Sequence, residues 1–524
     1  MAFLRNGLQI VLAALLSGVL AIASLSQTTG GAASLPAGQL IAKVTCKDQP
    51  AYSYALYLPS NYTANRTWPI IYCFDPGASG SEPIKHFQAG AEKYGYIVVG
   101  SNDSKNGPGL PATSIARALF QDTQSRFSVD GRQVYLSGFS GGARLASAIA
   151  LAMPGAVAGV IACSAGFLPS SSPPRPLPFP FFGTAGIEDF NYPEMYSLAE
   201  LLTASGSVNR LAVFDGPHSW PLPEVCTLAI QWMRLQAMRS GRLEKDEAQI
   251  QSFRREWSER AKADEAAGKP YEAYLEYSSL TADFAGLSET ADFRSKAGEL
   301  RQSKEVKQAL KQEKENIEKQ RARMRELATL NAGITRGAFV SPADAGSTQP
   351  QINSTVGQMG TPPMPRMGNT GNGVSSSESG SDDQSAALVD LKHTVASLKK
   401  ASDGSAGSPA RIVARRVLSG YLVGIYETSE ELIYAKAYGR AVQLLTVATI
   451  IRPESQGFFL ELAKAYTGWN QKGKAIEALK RAVANGFKDA SAIERDPDFE
   501  PLRSDPEYKS IVSSLAGSGD PGKF

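Results

Sequence analysis

The sequence predicts an α/β fold, a mostly parallel sheet flanked by helices, followed by an all-α helical-repeat region. Three observations carry that expectation. Between residues 39 and 240 short apolar runs alternate with segments of helical spacing, the pattern that a parallel sheet with crossover helices requires. Beyond residue 241 the strand-like runs stop, and Glu, Lys, Arg, Gln and Ala take over. Near the C-terminus Ala441, Leu445 and Ala448 recur thirty-four residues on as Ala475, Leu479 and Ala482, the period of a paired-helix repeat.

Residues 1–30 come first. Arg5 precedes an apolar run from Leu8 to Leu25, and Ala21-Ile22-Ala23 offers small residues for cleavage, the layout of a signal peptide. An uncleaved anchor is the alternative, because the run is long enough to cross a bilayer. The chain is therefore expected to be exported, periplasmic or secreted, with a membrane as partner only where this segment is retained. Strand-like runs follow at 39–45, 52–58, 69–74, 96–100, 133–137, 157–162, 178–184 and 209–214. Helix-like segments fall at 82–94, 113–127, 142–152, 193–204 and 222–239. No helix separates the first two strands, which are expected to pair as an antiparallel edge. Right-handed crossovers then bring the ends of the later strands to one rim.

Composition excludes several classes of function. A net charge of +3 on 524 residues is small, and no basic stripe is interleaved with aromatics, so nucleic acid is not an expected partner. No Cys/His cluster has zinc spacing and no glycine-rich phosphate loop follows a strand, so neither a metal nor a cofactor is implied. The hydrophobic share of 43% suffices for real cores. The four cysteines, Cys46, Cys73, Cys163 and Cys226, all lie within 39–240. Three disulfide pairings are open to them in an oxidising compartment; buried apolar thiols are the alternative.

The chemistry centres on Gly138-Phe139-Ser140-Gly141-Gly142, between a strand-like run (133–137) and a small-residue helix (143–152). A serine on such a turn, with glycines where side chains would strike neighbouring backbone, has the form of a nucleophile elbow. A serine hydroxyl needs an imidazole to accept its proton. His86 precedes the serine, and His393 lies beyond a low-complexity stretch; they are expected on a helix surface and in solvent. His218 follows the strand-like run 210–214 in the turn-rich Asp215-Gly216-Pro217-His218-Ser219-Trp220-Pro221, and is the expected base. The carboxylate that orients it is expected between the two. Asp189, in the loop after the buried run 179–184, is chosen over its neighbour Glu188 and over Asp215, which shares the histidine's own loop.

Those residues resemble the α/β-hydrolase superfamily, and within it the small secreted esterases of the polyhydroxybutyrate-depolymerase and feruloyl-esterase type. The resemblance covers about residues 39–240 and rests on Gly138 to Gly142, on Gly183-Thr184 with Asp189, and on Gly216-Pro217-His218-Ser219-Trp220. It implies a serine esterase acting through Ser140, Asp189 and His218, with one oxyanion donor at Gly141 and a second from the loop after the third strand. The usual His-Gly-Gly is replaced there by Phe74-Asp75-Pro76-Gly77-Ala78. Pro76 has no N–H, which leaves Gly77 or Ala78. Only a short Ser/Pro-rich loop separates Cys163 from Phe179, so an open cleft suited to a bulky or polymeric ester is expected. Gly-Phe-Ser-Gly-Gly also resembles the elbow of prolyl-oligopeptidase-like peptidases. A peptidase and a non-catalytic binding scaffold are the alternatives to an esterase.

Residues 241–330 read as a helical region, with a hairpin about Trp257, Ala261, Ala273 and Tyr277, then a charged helix on which Leu310, Ile317 and Met324 recur every seven positions. Residues 331–385, dominated by Gly, Ser, Pro, Asn and Thr, are expected to be a flexible linker. Residues 386–516 resemble a short tetratricopeptide array, with Leu462, Ala463 and Tyr466 on a first helix. That resemblance implies a protein partner for a helical module tethered to the enzyme.

Overall fold

The computed structural model of the chain describes residues 35–107, 110–336 and 379–517. Strands β1 (Leu40–Thr45), β2 (Ser53–Tyr57), β3 (Trp68–Phe74), β4 (Ile97–Ser101), β5 (Val129–Phe139), β6 (Gly159–Cys163), β7 (Phe181–Gly186) and β8 (Asn209–Phe214) form one sheet in the order β1-β2-β4-β3-β5-β6-β7-β8. The pairs β1–β2 and β2–β4 are antiparallel and the others parallel. Every residue of β2, β3, β4, β6 and β7 is buried, which is why these strands read as unbroken apolar runs instead of alternating ones. The expected antiparallel edge is present. β5 begins at Val129, earlier than its apolar run suggests, through a register irregularity against β3.

Helices α1 (Ser81–Tyr94), α2 (Ala112–Arg126), α3 (Gly141–Ala152), α4 (Tyr192–Ala204) and α5 (Pro223–Arg239) cover the two faces. Successive side chains of a strand point to opposite faces, so Ile71 and Cys73 pack with Phe87 of α1 and with Ile230 and Trp232 of α5. Ile70 and Tyr72 pack with Leu119 of α2 and with Ala146 and Ala150 of α3.

The region that follows is not a separate body. Helices α6 (Glu247–Ala266), α7 (Pro270–Asp283), α8 (Ala291–Gln302) and α9 (Lys304–Arg336) extend the α5 side of the core through Ile250, Phe253, Trp257 and Leu280. Asp283, buried at the end of α7, receives the Arg210 guanidinium from β8 and the Trp232 indole N–H at 2.6 Å. Burial raises this carboxyl above the ordinary range, while Arg210 and the indole bond pull it down.

The remaining helices are α10 (Ser379–Ser402), α11 (Pro409–Tyr434), α12 (Tyr438–Ile451), α13 (Gln456–Gly468), α14 (Lys472–Ala484), α15 (Ala490–Arg495) and α16 (Pro506–Gly517), with a 3-10 turn at Pro497–Leu502. Ala441, Leu445, Ala448, Ala475, Leu479 and Ala482 are all completely buried. Small alanines at these sites let α12, α13 and α14 pack against one another. Of the expected linker, 337–378 lies outside the described residues; 331–336 continue α9 and 379–385 open α10. Met324 and Leu327 of α9 share a core with Leu391 and Val395 of α10 and Val417 of α11. Ile317, earlier on α9, belongs to the sheet's own core. One long helix thus joins the C-terminal helices to the sheet. The segment 1–30 lies outside the described residues, among which no helix is long and apolar enough to cross a membrane.

Candidate active site

Ser140 stands between the end of β5 and the start of α3 with φ 52° and ψ −120°. A non-glycine residue at positive φ is strained, and such strain persists only where the surroundings fix it. Here the Ser140 N–H donates to the Cys163 carbonyl at 2.8 Å and the Ser140 carbonyl accepts the Ala143 N–H at 3.0 Å. The flanking glycines are dictated by space: a Cβ on Gly138 would lie 2.2 Å from the Gly142 backbone, and one on Gly142 would lie 1.9 Å from the Phe74 carbonyl oxygen. Gly141 opens α3, so its N–H belongs to the first helical turn and has no intrahelical acceptor. The positive end of the helix dipole adds to the field at that point.

His218 and Asp189 are brought together. The His218 Nδ1 lies 2.8 Å from Asp189 Oδ1, and the same oxygen accepts the Asn191 N–H at 2.8 Å. Asp189 is fully buried. The Glu188 N–H donates to the Gly216 carbonyl at 2.9 Å, tying the acid loop to the histidine loop. Two aromatic rings flank the imidazole, Phe139 at 4.6 Å between centroids and Phe190 at 4.1 Å. Phe139 immediately precedes Ser140, so the elbow, the acid loop and the histidine loop meet at the carboxyl ends of β5, β7 and β8. The rivals lie elsewhere. Glu188 turns to Arg411 and Arg415 at 3.3 and 2.8 Å, and Asp215 and His393 are exposed. His86 sits 3.4 Å from Glu82 and stacks near Trp220.

The loop after β3 is organised by one buried carboxylate. Asp75 Oδ1 accepts the Gly77 N–H at 2.9 Å, the Asp75 carbonyl accepts the Ala78 N–H at 3.0 Å, and Asp75 Oδ2 accepts the Trp220 indole N–H at 2.8 Å. Both N–H groups nominated from the sequence are thus bonded within this turn. Against Gly141 lies a different polar group: a Cβ there would meet the Asn106 Nδ2 at 2.1 Å. The Asn106 N–H donates to the Pro76 carbonyl at 2.8 Å, which pins its loop to the same turn. Propensity does not give the shape of the loop after β4, and the only sequence signal for Asn106 was a carboxamide within it.

Electrostatically the rim is mixed. Arg144, one turn beyond Ser140 on α3, is buried and holds Glu194 through two bonds of 2.8 and 2.6 Å. Glu427 of α11 is half-buried and close enough to Arg144 and His218 for both to act on its charge. Burial raises its carboxyl above the ordinary range against the pull of Arg144, Glu431 and Glu430 raise it further, and His218 opposes. All four cysteines are buried free thiols, of which burial pushes Cys46 up to about 11 and Cys163 up to about 12. Among the described residues no group of His, Cys, Asp and Glu is arranged to hold a metal ion. The expected open rim is also occupied on one side: α11, from the C-terminal region, lies against the acid loop, where Gly420 meets Phe190.

A mostly parallel sheet in which β2 alone runs against the other strands, with flanking helices and a strand–serine–helix elbow, is the α/β-hydrolase fold, followed here by a helix-rich region. No protein-family model and no curated protein matches the chain. Among solved structures, the chain is similar to the S-formylglutathione hydrolase of Staphylococcus aureus, at 14% identity and a TM-score of 0.30 over 35% of this chain and 92% of that one. It is similar to a ferulic acid esterase, at 13% identity and a TM-score of 0.31 over 37% and 97%. It is also similar to the Pyrobaculum calidifontis esterase, at 14% identity and a TM-score of 0.31 over 45% and 93%.

Proposed function

We propose that this chain is a serine hydrolase that cleaves carboxylic esters through Ser140, His218 and Asp189. The bond between His218 Nδ1 and the buried Asp189, on the rim that carries the strained Ser140 elbow, supports the reading above all else. An ionised carboxylate only accepts, so it holds the imidazole proton on Nδ1 and leaves the Nε2 lone pair for the serine hydroxyl. In the reaction His218 Nε2 takes the Ser140 proton as the oxygen attacks the ester carbonyl, and Asp189 stabilises the imidazolium. The tetrahedral oxyanion is held by the Gly141 N–H and by the Asn106 carboxamide lying against it. Gly77 and Ala78, whose N–H groups Asp75 occupies, shape the turn that supports that loop. His218 returns the proton to the departing alcohol. Water then attacks the acyl-enzyme by the same route and releases the acid.

The reading includes export through segment 1–30, and a tetratricopeptide-like surface on α12 to α14 that takes a protein partner. The buried repeat positions and the exposed Ile450 and Trp469 support the latter. A fluorophosphonate probe tests the catalytic claim. Wild-type protein is expected to be labelled and to hydrolyse aryl esters, and Ser140→Ala to lose both while keeping its melting temperature. A well-folded wild type that takes no label would leave only a scaffold.

A further inference from the structure

Asp189 belongs to a short loop, 187–191, between β7 and α4, and residues on both sides of it are gripped by helices remote in sequence. The Arg416 Nε of α11 donates to the Ile187 carbonyl at 2.7 Å, across 229 residues. The same guanidinium lies 3.8 Å over the Tyr192 ring and 3.3 Å from Glu313 on α9. Arg411 and Arg415 bracket the Glu188 carboxylate. The Gln320 Nε2 of α9 donates to the Phe190 carbonyl at 2.8 Å. Gly420, one turn beyond Arg416, lies so close to Phe190 that a Cβ there would be 2.9 Å from the phenylalanine Cβ. Phe190 in turn packs its ring against the His218 imidazole. An unbroken series of contacts therefore runs from α11 through Phe190 to His218, and Arg416 also holds the Ile187 carbonyl, two residues before Asp189 in the same loop.

Resting on the esterase reading above, we propose that Arg416 is a positioning residue for the Asp189–His218 pair, and that Gly420 sets the place of Phe190 against the imidazole. The C-terminal helices are then a working part of the hydrolase site as well as a surface for a partner. The physical demand on Arg416 is specific. It is completely buried, so its charge needs a partner, which Glu313 supplies at Nη1 while Nε takes the Ile187 carbonyl. Only a planar fork can at once donate to a carbonyl, pair with a carboxylate and stack on a ring. Lysine at this position keeps the charge and loses that geometry. Catalysis is sensitive to the displacement this would allow, because a shift of about 1 Å in a reacting group costs up to about 100-fold in rate.

The test uses the full chain as Arg416→Lys, Arg416→Met and Gly420→Ala. Each is measured for kcat and KM on a small aryl ester, for the rate of fluorophosphonate labelling, and for the low-field proton resonance of the His218 Nδ1–H. The expected result is a fall in kcat of about 10- to 100-fold with KM within about twofold, slower labelling, and a moved or broadened resonance. Gly420→Ala, which adds one methyl group facing Phe190, decides the matter if neither Arg416 variant folds. Folded variants with wild-type kcat, labelling rate and resonance would overturn the inference while leaving the esterase reading intact. A wild type that takes no label would remove both.

Discussion

His218 and Asp189 share a hydrogen bond of 2.8 Å on a carboxylate with no solvent exposure. Screening by salt is weak for a buried pair, and the geometry fixes which ring nitrogen carries the proton. Asp189→Asn keeps the shape and lets the amide present its own N–H, which selects the opposite tautomer. The expected loss in kcat is about 10⁴-fold with little change in KM, as for the acid of a Ser-His-Asp triad. Steady-state kinetics on an aryl ester measure it, and a variant within tenfold of wild type would show that this carboxylate does not orient the base.

Asn106 makes a separable claim. Its carboxamide lies against Gly141, whereas Gly77 and Ala78 have their N–H groups committed to Asp75. Asn106→Ala is expected to lower kcat by about 100- to 1,000-fold, the usual effect of losing one oxyanion donor, without a comparable change in melting temperature. An unchanged kcat would return the second donor to the turn at Gly77 and Ala78.

Much of the sheet was legible because parallel strands buried on both faces leave a plain mark: Ile97-Val98-Val99 and Trp68 to Phe74 admit no polar interruption. The elbow was legible for a steric reason, since Gly138 and Gly142 have no room for a Cβ. What sequence could not show is contact between distant segments. Arg416 carried no signal in the sequence; its bond to the Ile187 carbonyl, 229 residues away, places it inside the protein. The same holds for α6 and α7, which read only as part of a helical region; Arg210 and Asp283 meet only once β8 and α7 are folded together.

Trp220 links the histidine loop to the turn after β3 through its indole N–H on Asp75 Oδ2 at 2.8 Å. Trp220→Phe keeps much of the packing against Phe139 and Phe87 but leaves a buried carboxylate oxygen without that donor. A hydrogen bond to a charged group contributes about 1.5–3 kcal/mol, so the variant is expected to lose stability of that order. Denaturant titration gives the value directly. A difference near zero would mean that Asp75 finds another donor and that the two loops are not coupled through this bond.

Glu427 supplies a pH signature with a definite sign. Its carboxyl is raised in the folded protein, first by burial and then by Glu431 and Glu430, against the opposing pull of Arg144 and His218. The folded state therefore binds this proton more tightly than the unfolded chain, where a glutamate titrates near about 4.3. Stability falls with rising pH wherever the folded state holds more protons. Its contribution is thus full below the unfolded value, declines as pH rises, and is lost above the folded value. Glu427→Gln cannot ionise. Melting curves of the two proteins are expected to lie close together at acid pH and to separate as pH rises, with the variant the more stable at neutral pH. Because Glu431 and Glu461 are also raised by burial, the difference between wild type and variant, not the wild-type profile alone, isolates this residue. A difference that is flat with pH, or that favours wild type at neutral pH, would show that the Glu427 carboxylate is better solvated at the rim than its place on α11 indicates.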